Sequence, residues 1–234
     1  METLQVKQTI TIDIVSDVAC PWCYIGKKNL EKAVDLLKDQ FNYKIAFHPF
    51  QLDPSIPAEG MDSHAYFANK FGEAQLDQIF QRVESTGEKL GINFDFRGIV
   101  KAINTLPLHV ILKVAATENI QLEVAKEFFE SYMVHPKDMS DPAVIVEIMQ
   151  KFGWEEEKTR RIMADTQLQA EVKEEIKKLH EMRISGVPFF IINNKFGVSG
   201  AQPTEMFVNA FHSLKPEDFP QQEDLSCAVV GTNC

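Results

Sequence analysis

With 234 residues the chain is long enough for one large hydrophobic core or two modest ones, and its 44% hydrophobic and 25% charged content is ordinary for a globular protein. A net charge of −10 argues against a surface for nucleic acid or for an anionic membrane. The longest apolar stretch, Val187 to Ile192, is far too short to span a bilayer. Met1 to Lys7 carries no apolar signal segment, so the expectation is a cytoplasmic protein, where thiols stay reduced and structural disulfides are rare.

The run Thr9-Ile10-Thr11-Ile12-Asp13-Ile14-Val15 alternates and is rich in β-branched residues, so it predicts a strand. Cys20-Pro21-Trp22-Cys23 follows, and then Leu30, Ala33, Val34 and Leu37 recur at helical spacing. Two cysteines therefore stand where a strand ends and a helix begins. A helix start offers unpaired amides and the positive end of the dipole, both of which favour a thiolate. Cys20 is accordingly expected to have a lowered pKa and to be the nucleophile. Pro21 suits the first helical position, and Cys23 lies about one turn on, close enough to close a disulfide with Cys20. Half of a zinc site and a structural disulfide are the other uses of this spacing. Strand before, helix after and proline inside favour redox chemistry.

Tyr43 to His48 reads as a second strand, parallel to the first because a helix joins them, and a loop with Pro49, Pro54, Pro57 and Gly60 follows. From 62 to 180 the periodicity is helical almost throughout. Leu76, Ile79, Phe80 and Val83 form one stripe; Val124, Phe128, Phe129 and Tyr132 form another. Asp141-Pro142 opens a helix, Glu155 to Glu157 open the next, and Leu168, Val172, Ile176 and Leu179 mark the last. Strands then return as Phe189 to Ile192 and Phe196 to Ser199, joined by the turn signal Asn193-Asn194, and Gln202-Pro203 opens a closing helix. This order, β-α-β, helices, β-β-α, predicts an α/β chain with a thioredoxin-like fold and an inserted all-helical subdomain. The expected domains are 1–61 with 181–214 for the thioredoxin-like part, 62–180 for the insertion and 215–234 for a mobile tail.

Three segments resemble the DsbA family of thiol–disulfide oxidoreductases, most closely its FrnE-like branch. They are Ser16 to Gly26, His48 to Leu52, and Gly186 to Ile191 running on to Ser199-Gly200-Ala201-Gln202-Pro203. The resemblance implies Cys20 and Cys23 as the redox pair and Pro188 as a cis proline facing it, with the backbone of Val187 turned toward an extended substrate. Pro21 and Trp22, between the thiols, set the stability of the reduced form and join Val187 and Pro188 as expected substrate contacts. The partner is then a thiol or disulfide, protein or small molecule, and no cofactor beyond the redox-active disulfide is needed. Asn104, Thr105 and His109 fit a family pattern, while Leu108 and Val110 replace its Ala and Arg. Loss of that cation speaks against a glutathione site. Kappa-class glutathione transferases and chromene-carboxylate isomerases resemble the chain in fold but carry Ser in place of Cys20, so both thiols favour disulfide chemistry over a glutathione-linked transferase or isomerase.

Cys227 and Cys234 form a second pair that could relay electrons to the first or close a protective disulfide. The rivals from other classes are a zinc protein using Cys20, Cys23, Cys227 and Cys234, though a metal is not expected, and a chaperone-like binder. His109 reads as a packed histidine. Asp13 and Asp17 are the nearest acids that could shuttle the Cys23 proton, and Asp13 reads as a solvated or capping side chain.

Overall fold

In the computed structural model, which describes residues 7–219, the alternating run becomes β1 (Thr9–Ser16), the strand against which the other elements are laid. Period-two alternation sends Ile10, Ile12 and Ile14 to one face, where they are wholly buried, and Thr11, Asp13 and Val15 to the other. α1 (Pro21–Leu37) follows, and β2 (Asn42–Pro49) returns parallel to β1 over its whole length. The expected βαβ unit is thus present.

The middle of the chain holds β3 (Met61–Asp62), α2 (Ser63–Phe71), α3 (Leu76–Glu88), β4 (Lys101–Ala102), α4 (Leu106–Thr117), α5 (Gln121–Met133), α6 (Pro142–Gln150), α7 (Glu156–Ala164) and α8 (Thr166–Glu181). Its starts follow the capping chemistry. Asp141 accepts the Ala143 N–H at 2.8 Å ahead of α6, and Asp165 accepts those of Gln167 and Leu168 at 2.9 and 3.0 Å ahead of α8. One feature departs from an all-helical reading. β3 and β4 pair antiparallel, and residues 89–100 between α3 and β4 contain no helix. Two-residue strands leave no periodic trace in a sequence, and here Ile92, Phe94, Phe96 and Ile99 pack inward from irregular backbone.

β5 (Phe189–Ile192) and β6 (Phe196–Ser199) form the expected hairpin, with Asn193 and Asn194 at φ of 49° and 56° in its three-residue loop. α9 (Thr204–His212) follows. The four-stranded sheet has the order β2-β1-β5-β6, with β5 antiparallel to β1. One face carries the large core, in which Ile10, Ile12, Ile14 and Phe190 meet Leu30 and Ala33 of α1 and Phe207 and Phe211 of α9. The opposite face packs Val15, Phe50 and Ile191 against Leu179 of α8 and Ile184. The outer edge of β2 is covered by Gln121 of α5, whose side-chain amide accepts from Phe47 N and donates to Phe47 O, both at 2.9 Å. A buried amide thereby takes the place of another strand. Among the described residues no helix is long and apolar enough to cross a membrane.

Candidate active site

β1 ends at Ser16, and a short turn delivers the chain to α1. Cys20 N donates to Asp17 O at 3.0 Å, and Cys20 itself is the N-cap, with extended backbone and Pro21 in the first turn after it. The Cys23 and Tyr24 amides then return to Cys20 O at 3.0 and 3.4 Å. Both cysteines are free thiols; Cys20 is 4% exposed and Cys23 is fully buried.

The Cys20 sulfur lies 3.8 Å from the carbonyl oxygen of Val187, to which it donates, and the Val187–Pro188 peptide bond is cis. Cys20, Cys23, Val187 and Pro188 are therefore brought together at the junction of α1 and β5. Gly26 makes this approach possible, because a Cβ there would come within 3.0 Å of the Phe190 ring and 3.1 Å of the Pro188 ring. One expectation changes. The Cys20 side chain accepts no capping hydrogen bond from the amides of α1. A protonated thiol is a donor, and it turns to the Val187 carbonyl instead.

Burial pushes the Cys23 thiol well above its ordinary range, and its neighbour Cys20 adds to the push, while the Ser16 side chain and the Asp17 backbone pull the other way. Ser16 shares the face of Ile10, Ile12 and Ile14, which directs it at α1. Its buried hydroxyl makes no full hydrogen bond, yet it lies close enough to ease the charge on Cys23.

The neighbouring polar residues are mostly structural ties. Asp17, 1% exposed, accepts the Ala19 N–H at 3.2 Å and the Leu52 N–H at 2.7 Å, which pins the loop after β2 beside the cysteines. His109 is buried and donates to Phe50 O at 2.9 Å, with Asp17 at 3.5 Å. Asn104 accepts from Gln51 and from Leu106 N, each at 3.0 Å, and donates to Ile56 O at 2.8 Å, so it clamps the same loop to the start of α4.

Asp13 is neither solvated nor a cap. Its carboxylate meets His48 Nε2 at 2.9 Å, and His48 Nδ1 meets Glu175 of α8 at 2.8 Å, in a nearly buried line across the sheet. Burial pulls the imidazole down, but the hydrogen bonds to Asp13 and Glu175 outweigh it and hold the pKa at about 9. Nothing in the spacing announced this network, since His48 and Glu175 are 127 residues apart. Ser16 was equally invisible as a chemical group, although its alternation with Ile12 and Ile14 was the one signal that could have placed it against α1.

Two cavities flank the pair. One, about 360 Å³, has Cys20, Pro21, Trp22 and Val187 in its wall. The other, about 300 Å³, lies beyond Ser16 along the edge of β2 and includes His48, His109, Lys113 and Glu175. Among the described residues no group of three or more His, Cys, Asp or Glu side chains is placed to hold a metal ion. Cys227 and Cys234, the other sulfurs of the zinc reading and the second pair of the redox reading, lie outside the described residues, as does most of the expected tail.

A thioredoxin-like sheet with a dithiol at the start of α1 defines, in general terms, the class of thiol–disulfide oxidoreductases. The chain belongs to the DSBA-like thioredoxin domain family, whose model matches residues 11–212. It is 22% identical over 204 residues to the uncharacterized protein YwbO of Bacillus subtilis (strain 168), covering 86% of this chain and 96% of that one. Among solved structures it is similar to a probable DsbA oxidoreductase from Streptomyces coelicolor, with 25% identity, a TM-score of 0.80 and coverage of 88% of this chain and 92% of that one. A 2-hydroxychromene-2-carboxylate isomerase shares the fold at 15% identity and a TM-score of 0.66, covering 93% of this chain and all of that one.

Proposed function

We propose that Cys20 and Cys23 are the redox pair of a thiol–disulfide oxidoreductase that works through a mixed disulfide with its substrate. The observation that carries this reading is the asymmetry of the two sulfurs. Cys20 lies in the wall of a cavity and faces Val187, whereas Cys23 is sealed one helical turn below it. In the reducing direction the Cys20 thiolate attacks one sulfur of a substrate disulfide; that S–S bond breaks and the far sulfur leaves as a thiolate. Cys23, once deprotonated, attacks the Cys20 sulfur of the adduct, closing the Cys20–Cys23 disulfide and releasing the second substrate thiol. Two electrons pass from the pair to the substrate, and the two thiol protons end on the released thiolates. Run backwards, the same steps oxidise a dithiol. The rise that burial imposes on the Cys23 pKa supports giving it the second attack, because a thiol held protonated waits while Cys20 captures the substrate.

Trapping tests the assignment. Cys23→Ser is expected to stall as a covalent adduct through Cys20, visible by mass spectrometry and released by dithiothreitol, while Cys20→Ser forms no adduct and turns over no insulin. An adduct carried by Cys23 in the Cys20→Ser protein, or insulin reduction surviving that substitution, would overturn the assignment.

A further inference from the structure

The cavity beside Cys20 carries information on what reaches it. Its walls are aromatic. Trp22 comes from α1, Phe67 and Phe71 from α2, Phe80 from α3, Phe96 from the irregular segment and Tyr132 from α5. Phe67 meets Phe80 edge-on at 5.7 Å and Phe80 stacks on Phe96 at 5.1 Å, so the rings form one continuous lining. Its volume, about 360 Å³, is more than twice the roughly 150 Å³ of an apolar cavity that takes up benzene. Two or three joined rings would fill it, and it falls within the usual size of small-molecule sites.

Several of the polar side chains in the wall are already engaged. Asp17 spends both oxygens on backbone amides. Asp53 accepts the Tyr66 hydroxyl at 3.0 Å, and that hydroxyl accepts from Lys70 at 2.7 Å. Beyond the backbone of Val187, a polypeptide drawn deep into this space would meet few free partners for its N–H and C=O groups, and each one buried without a partner costs about 1–3 kcal/mol. A ring system carries no such groups. Cys20 is the thiol in the wall, and at 4% exposure it offers little surface to a folded protein.

We propose that this cavity binds small, largely apolar aromatic disulfides, and that these rather than protein disulfides are the substrates of the pair; the proposal rests on the Cys20–Cys23 reading above. The dithiol form reduces the aromatic disulfide to two thiols and becomes the Cys20–Cys23 disulfide, which a small-molecule thiol then reduces, itself ending as a disulfide.

The test has a binding arm and a rate arm, both on the full chain. N-phenylnaphthylamine, a neutral aromatic probe, is titrated by fluorescence into the wild-type protein and Cys20→Ser. Reduction of dipyridyl disulfide is compared with that of hydroxyethyl disulfide, each normalised to its rate with free dithiothreitol. Saturable probe binding to both proteins is expected, with a normalised preference for the aromatic disulfide of at least about tenfold. Ala102→Leu and Ile79→Trp fill the cavity from different walls, and each should weaken the probe and lower that preference by about tenfold. Because Ile79 is only half-buried, its substitution keeps the test sound if Ala102→Leu fails to fold. Absent saturable binding, or a preference no greater than that of dithiothreitol, overturns the proposal. So does insulin reduction that is faster than the aromatic reaction and untouched by saturating probe. Probe binding with neither disulfide reduced would instead sink the redox reading, and the substrate assignment with it, while leaving the cavity an aromatic binding site.

Discussion

On the Cys20 side of the pair the cavity is walled by aromatic rings, and on the Cys23 side a cavity of similar size, about 300 Å³ against 360 Å³, is edged by His48, Lys113 and Glu175. β1 turns isoleucines and Ser16 toward α1, and Asp13 toward α8, so chemistry alternates residue by residue along one backbone. The difference teaches a division of labour. The thiol in the cavity wall meets apolar surface, where a substrate gains by leaving water, whereas the sealed thiol has a hydroxyl beside it and ionised groups beyond, which suits a sulfur that must lose a proton in place.

Several substitutions would break or sharpen this contrast. The largest effect is expected from His48→Leu, which leaves the Asp13 and Glu175 carboxylates buried without the imidazolium between them. Removing one partner from a buried ionic group costs about 3–5 kcal/mol, to be read from denaturant unfolding at neutral pH. A loss no larger than that of an exposed substitution would mean the network is not charged as argued. The same imidazole predicts a pH dependence. Its pKa rises from an ordinary 6.5 unfolded to about 9 folded, so its stabilisation is complete below about 6.5 and is lost as pH climbs through about 9. The unfolding midpoint of the wild type should therefore fall across that window, and His48→Leu should flatten the fall.

Gly26→Val comes next. The added carbons meet the rings of Pro188 and Phe190, and overpacking of this kind costs about 1–3 kcal/mol, measurable as a lower Tm. It should also slow capture by Cys20, since α1 must back away from Val187; an unchanged capture rate would show that the close approach is dispensable. The smallest effect is that of Ser16→Ala. Losing one hydroxyl beside the Cys23 thiolate is worth about 1 kcal/mol, or roughly fivefold in the rate at which the mixed disulfide is resolved. The pH profile of that step should move to higher pH while the capture step stays put. Ser16→Thr, which keeps the hydroxyl, should restore it, and equal slowing of both steps would point to a structural effect only.

The local features of this chain were readable because they are written in neighbouring residues. The alternation in Thr9 to Val15, the proline after Cys20, the Asn193-Asn194 turn and the acidic cap at Asp141 each satisfy their own backbone, and each element lies where its pattern put it. The paired cysteines at a strand–helix junction were legible for the same reason. Asp13 was misread because its partners lie 35 residues away and farther still, across two other elements. β3 and β4 were missed because two residues carry no period.

What the amino-acid order determined alone was therefore the succession of strands and helices and the two thiols at the head of α1, since hydrophobic period and capping act over a few residues. Tertiary structure decided that Cys20 turns to Val187 rather than to the helix amides, that His48 is ionised between two acids, and that rings from five separate segments close on one cavity. Those outcomes depend on packing and desolvation between residues far apart in the chain, and no spacing along it encodes them.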